Sequence, residues 1–164
     1  MVLFPQRLQI SRSLHKQLRN HAYSIRFDSA FAEVMAACAA PRPQHSGTWI
    51  NPQMRQAYHQ LHQCGVAHSF EAWEGDELIA GLYGVAIGQV FFGESMFHRR
   101  SNASKIVFAH LVQQLQSWGY GLIDCQVSST HLQSLGAEEI SREHFLSLLL
   151  TGCKTPPHSQ AWQA

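Results

Sequence analysis

Apolar residues recur with two different periods along this chain, and the switches between them mark its elements. Where polar and apolar residues alternate, side chains fall on opposite faces of a strand; where apolar residues return every three or four positions, they line one side of a helix. Alternation occurs at Leu8-Gln9-Ile10 and at Tyr23-Ser-Ile-Arg-Phe27, which predicts two early strands. Ser11 or Ser13 can cap a helix between them, running to about Asn20. Asp28 or Ser29 is expected to cap a second helix, whose Phe31, Val34, Met35 and Cys38 face a core. Pro41 to Gly47 reads as a surface loop. Asn51 before Pro52 starts a third helix, with Met54, Ala57, Tyr58 and Leu61 as its buried stripe and Gly65 as its stop.

The middle of the chain reads as an antiparallel meander. Ala67 to Trp73, Glu77 to Ile87 and Gln89 to Ser95 are strands, with turns at Gly75-Asp76 and Gly88. A helix from Asn102 to Trp118 follows, with Val107, Leu111, Leu115 and Trp118 on one face. Next come a strand over Gly121 to Val127, a short helix from Thr130 to Leu135 ended by Gly136, and a short strand to Ile140. Ser141 opens a last helix to about Leu150. The periodic part predicts one domain over residues 1–150, and the tail 151–164, with Pro156-Pro157, is expected to be flexible.

The stretch Gly121-Leu-Ile-Asp-Cys-Gln-Val127 carries the candidate chemistry. On a strand, Asp124 and Gln126 would stand side by side on one face, with Ile123 and Cys125 on the other. A polar pair at a strand end flanked by helices is a common place for a site in folds that mix strands and helices. Taken alone, the segment fits a solvated strand end slightly better.

Composition narrows the classes. The chain has 164 residues, 45% hydrophobic and 14% charged, an ordinary balance for a globular domain. A net charge of +1 gives no global field toward nucleic acid, so any basic surface is local. Two local clusters exist. Arg12, Lys16 and Arg19 form a stripe at helical spacing, which fits a solvated face better than a phosphate-contacting one. Arg99, Arg100 and Lys105 surround the start of the Asn102 helix, where free N–H groups and the helix dipole favour an anion; an exposed, well-capped helix start fits them equally well. Four widely spaced cysteines without a Cys-x-x-Cys pair point to a reduced, cytoplasmic compartment. No apolar run reaches the roughly 18 residues of a membrane span. His59 and His62 lie three apart but lack the further ligands of a metal set, so they are read as surface histidines and no metal is expected. Gly81, Gly84 and Gly88 precede no helix at the spacing of a dinucleotide loop, and fit a curved sheet instead.

A set of short motifs occurs in order: Gly47-Thr-Trp-Ile50, Ala57-Tyr-His-Gln-Leu61, Tyr83-Gly-Val-Ala86, Gly93-Glu-Ser-Met-Phe97, Asn102-Ala-Ser-Lys105, Ile123-Asp-Cys-Gln-Val127 and Ser134-Leu-Gly-Ala137. Together, over about residues 4 to 150, they closely resemble the leucyl/phenylalanyl-tRNA–protein transferase family. The resemblance implies an α+β, acyltransferase-like fold related to N-acetyltransferases: a mixed sheet with helices on both faces. It implies transfer of Leu or Phe from its tRNA to a protein beginning with Arg or Lys, which marks that protein for degradation by the N-degron route. It implies partners (aminoacyl-tRNA and the acceptor protein), no cofactor and no membrane.

The resemblance also assigns residues. Asp124 and Gln126 match the catalytic pair, the second held by the first. Glu94 lies near the reacting ends. Leu82, Phe91 and Met96 line the apolar pocket for the acyl side chain. Trp49 stacks on the terminal adenine, with Tyr58 near the same adenosine. The two basic clusters, read from their spacing and not from the resemblance, supply the expected tRNA contacts: Arg12, Lys16, Arg19, Arg99, Arg100 and Lys105. Two departures are noted: the family places a smaller domain before the transferase domain, which this chain is expected to lack, and Ser129 stands where the family usually has asparagine. Two competing classes remain, a non-catalytic paralogue that binds a tRNA end or a basic N-terminus, and an acyl-CoA-dependent N-acyltransferase. The second lacks its usual phosphate loop before Asn102.

Overall fold

The meander forms the centre of the molecule. In a computed structural model, which describes residues 1–20, 22–41 and 48–163, the strands are β1 (Val2–Leu3), β2 (Ser24–Phe27), β3 (Ala67–Glu74), β4 (Glu77–Ile87), β5 (Val90–His98) and β6 (Leu122–Asp124). The helices are α1 (Arg12–Asn20), α2 (Phe31–Ala39), α3 (Pro52–Gln63), α4 (Ala103–Ser117), α5 (Thr130–Gln133) and α6 (Arg142–Gly152). The sheet order is β1-β6-β5-β4-β3-β2. Tight turns at Gly75 and Gly88, both at positive φ, make β3–β4 and β4–β5 antiparallel. The β5–β6 pair is parallel, and α4 supplies the crossover that a parallel pair needs.

The result is the expected α+β mixed sheet with helices on both faces. Residues such as Phe70, Leu82, Phe91 and Ile123 form one core with the α4 side chains Val107, Leu111 and Leu115. The opposite face of the sheet packs Tyr83 and Phe97 against Phe31, Val34 and Met35 of α2. α4 ends by a left-handed Gly119, with Gly119 N–H donating to the Gln116 carbonyl and Tyr120 N–H to that of Leu115. That closure turns the chain directly into β6.

Several expectations are corrected. The N-terminal strand is Val2–Leu3, paired with Ile123 and Asp124, and not Leu8 to Ile10. The strand expected to reach Ile140 reduces to a bridge between Val2 and Glu138. α2 is preceded by Ala30 with no side-chain cap. Asp28 instead accepts from Ser69 N–H at 2.9 Å, and Ser29 Oγ donates to the buried Glu71 at 2.7 Å. The Asn51 cap does form, accepting from Met54 N–H at 2.8 Å. No residue of α3 is fully buried, however: Met54 and Tyr58 are half-buried while Ala57 and Leu61 are exposed. His62 is not a surface histidine, since its ring stacks on Phe31 at 4.2 Å. Most of the expected Pro41–Gly47 loop lies outside the described residues.

The tail 151–164, expected to be flexible, is bonded to the β4–β5 turn and to the end of α4. Gln89 N–H donates to the Gly152 carbonyl, Gln89 Nε2 to that of Pro156, and His158 N–H to that of Trp118. Gly88 is the residue that admits this approach, because a Cβ there would strike the Gly152 and Cys153 carbonyl oxygens. Trp162 then enters an aromatic group on the α4 face.

Candidate active site

β5 and β6 are paired only over Val90–Leu122, Phe91–Ile123 and Phe92–Asp124. β6 stops there while β5 runs on to His98, so beyond Phe92 this side of β5 has no strand beside it. The register between β4 and β5 also slips at this level: Tyr83 faces Ser95 and Gly84 faces Gly93, leaving Glu94 as the extra residue of a bulge. A bulge bends the strand and re-aims its side chain. The opening is a cleft of about 350 Å³.

Its inner wall is apolar. Leu82, Phe91 and Met96 line it, joined by Phe108 and Leu111 of α4 and Ile123 of β6. The polar residues Glu94, Asp124, Gln126, Ser129 and His131 share the same cleft. Asp124 and Gln126 are thus neighbours, but not as two residues of one strand. The strand ends at Asp124, and Gln126 has a left-handed backbone, φ 57°. Asp124 Oδ1 accepts from Gln126 N–H at 2.9 Å and closes a side-chain turn around Cys125. The carboxylate therefore holds the Gln126 backbone rather than standing beside its side chain. Cys125 N–H is fixed by the Met1 carbonyl at 3.0 Å. Burial, with the negative Asp124 adding to it, pushes the Cys125 thiol up to about 12, so it stays protonated and inert as a nucleophile.

Trp49 and Tyr58 do not line the cleft; they reach it through Glu94. Burial, then the nearby Glu94 carboxylate and a hydrogen bond to it, push the Tyr58 phenol well above its usual range. Tyr58 therefore remains a neutral donor facing Glu94. Its ring packs edge-on against Tyr83 at 5.2 Å and against Trp49 at 6.5 Å. Trp49 is 51% exposed, an unusual position for so large an apolar side chain.

The basic residues separate into distinct environments. Arg12, Lys16 and Arg19 are exposed on α1. Arg100 is paired with Glu77 at 2.9 Å and Glu74 at 3.3 Å, and Arg99 donates to the Leu78 carbonyl at 2.8 Å. Both are tied to the β3–β4 end of the sheet. Lys105 lies close enough to His131, which lines the cleft, to act on its charge.

Two further polar groups of the cleft are orphaned among the described residues. Tyr83 is fully buried and its hydroxyl has no hydrogen-bond partner there. His131 has a buried Nε2 likewise without a partner among them, and burial, then Lys105 and His98, lower its pKa, which favours the neutral ring. Ser129 accepts from Leu132 N–H and starts α5 at the cleft, a cap not read from the sequence. Among the described residues no group of three His, Cys, Asp or Glu could hold a metal, and no helix is long and apolar enough to cross a membrane.

The family model described as leucyl/phenylalanyl-tRNA protein transferase matches residues 2–150. A leucyl/phenylalanyl-tRNA–protein transferase of Nitrosomonas europaea is 58% identical over 99% of this chain and 69% of its own length. That of Chromobacterium violaceum is 56% identical over 99% and 70%. Among solved structures, AAC(6')-Iy in complex with a bisubstrate analogue superposes with a TM-score of 0.51 at 18% identity, over 75% of this chain and 95% of that one. L-PGS from Bacillus licheniformis gives 0.51 at 11% identity, over 91% and 50%. These two likenesses concern the fold alone.

Proposed function

The chain belongs to the leucyl/phenylalanyl-tRNA protein transferase family, and from that premise we propose that its cleft moves a leucyl or phenylalanyl group from charged tRNA to the α-amine of a protein beginning with Arg or Lys. The observation that carries this reading is the meeting of the Glu94 bulge and the Asp124–Gln126 turn over one apolar cleft. The acyl side chain enters between Leu82, Phe91 and Met96. A slot of that kind takes the flexible Leu and the flat Phe and disfavours β-branched residues by shape.

In the reaction the acceptor nitrogen bonds to the ester carbonyl carbon, the bond to the ribose oxygen breaks, and the amine proton ends on that leaving oxygen. Gln126 is a poor base. Its side-chain carbonyl instead accepts an N–H of the attacking amine and fixes its approach. Asp124 keeps Gln126 in its turn and, with Glu94, stabilises positive charge on the nitrogen as it attacks. The same two carboxylates favour a cationic first residue on the acceptor. Trp49 stacks on the terminal adenine, a contact worth about 1–3 kcal/mol per base in other systems, and Tyr58 lies beneath it. Arg12, Lys16, Arg19, Arg99, Arg100 and Lys105 are the proposed tRNA contacts. The product enters the N-degron route in the cytoplasm, where charged tRNA is available.

A panel of charged tRNAs and peptides tests this. Leu-tRNA and Phe-tRNA should donate and Val-tRNA or Ile-tRNA should not; peptides starting with Arg or Lys should accept and those starting with Ala or Glu should not. Donor binding without transfer to any peptide would place the chain with non-catalytic binders instead.

A further inference from the structure

The tail after α6 ends in a side chain that the proposed transfer leaves without a role. α6 packs its Phe145, Leu148 and Leu149 against Val2, Val90 and Leu122, on the face of the sheet away from α4. The chain then rounds the β4–β5 turn, held by Gln89 and by the His158–Trp118 backbone bond. It delivers Trp162 to the α4 face. There the indole stacks on Phe91 at 6.0 Å with 26° between the planes, and lies 4.7 Å from the Trp118 ring. On another side His68 stacks against it at 3.8 Å and 10°. Trp162 Nε1 donates to the Tyr120 hydroxyl at 2.8 Å, which fixes the depth to which the ring is inserted.

Phe91 is shared between this aromatic group and the cleft. It lines the cleft and is 1% exposed, so little of its surface is left for solvent. Gly84 admits the ring, since a Cβ there would lie 2.6 Å from Phe91 Cζ. With the Gly84 backbone and Trp162 both against it, the Phe91 ring has little freedom to move. A wall that cannot retreat sets the depth of an apolar slot, and depth separates Leu from Phe. We infer that Trp162 is a specificity-determining residue for the acyl group: it backs Phe91 and fixes the size of the slot that receives the donor side chain.

The inference rests on the transfer reading above. Removing the indole leaves a void behind Phe91, into which that ring can withdraw. A deeper slot still meets a phenylalanyl side chain at its end but loses contact with a leucyl one. The size of the effect follows from the modest discrimination of apolar pockets, about ten- to two-hundred-fold per methylene.

The test is a competition in which equal Leu-tRNA and Phe-tRNA supply one Arg-starting peptide and both products are measured. Trp162→Ala should raise the Phe-to-Leu product ratio about fivefold or more. Trp162→Phe, which keeps a stacked ring, should stay near the wild-type ratio. Trp162→Leu fills part of the space and should fall between them. The ratio does not depend on the folded fraction, which lowers both products equally, so a destabilised variant still reports. Ratios equal to wild type in both Trp162→Ala and Trp162→Leu would overturn the inference and leave Trp162 as a structural plug. Failure of the wild-type chain to form either product would count against the transfer reading itself.

Discussion

The Asp124–Gln126 turn separates two roles that a single alanine substitution would merge. Asp124→Ala removes both the negative charge and the acceptor for Gln126 N–H. Asp124→Asn keeps an acceptor oxygen of the same size and removes only the charge. The turn holds Gln126 at φ 57°, a backbone state costing an L-residue about 1–2 kcal/mol unless something fixes it. Hydrogen bonds to charged groups contribute about 1.5–3 kcal/mol when buried, and this one is exposed, so about 1–2 kcal/mol is the reasonable figure. Losing it should leave Gln126 in its working position about five- to thirtyfold less of the time. Transfer kcat/KM from Phe-tRNA to an Arg-starting peptide should fall by that factor in Asp124→Ala beyond whatever Asp124→Asn loses. Donor binding should change little in either. If Asp124→Asn is as slow as Asp124→Ala, the charge is what matters and the turn is incidental.

Three further outcomes follow from individual side chains. Trp49→Ala should raise KM for aminoacyl-tRNA about five- to a hundredfold with a smaller change in kcat, read by steady-state transfer kinetics. Thiol labelling at pH 8 of the folded chain should modify the exposed Cys64 first and leave Cys125, pushed up to about 12, untouched until the chain unfolds. His131 has a folded-state pKa below its ordinary 6.5. The unfolded chain therefore binds the proton more readily, so this contribution to stability is present above about pH 6.5 and is lost as the pH falls. The unfolding midpoint should drop on acidification below that pH, less steeply in His131→Gln.

What could be read from the sequence was what local pattern encodes. The β3–β5 meander shows as apolar runs punctuated by Gly75 and Gly88, and α4 carries one continuous apolar face, so both were legible. The residues of the cleft were legible as motifs, while their geometry was not. Gln126 is not a glycine, and nothing in its neighbours announces a left-handed backbone; the strand was therefore drawn through it. The Glu94 bulge exists only as a register difference between β4 and β5, which a single strand does not display. Trp162 was missed for a similar reason. It is one aromatic in a polar, proline-containing tail without period, and its partners Phe91, Trp118 and Tyr120 are distant in the chain. The α3 stripe failed because that helix packs through Tyr58 on Tyr83 of the sheet and through His62 on Phe31 of α2, leaving Leu61 in solvent.

The central claim is that the Gln126 side chain orients the attacking amine in this cleft. Single-turnover transfer of labelled Phe from preformed Phe-tRNA to an Arg-starting peptide, run beside a direct donor-binding measurement, tests it for wild type and Gln126→Ala. Donor affinity should agree within about threefold while the transfer rate falls about a hundredfold or more, the scale of a positioned group in the transition state. A Gln126→Ala chain that binds and transfers at the wild-type rate would contradict it.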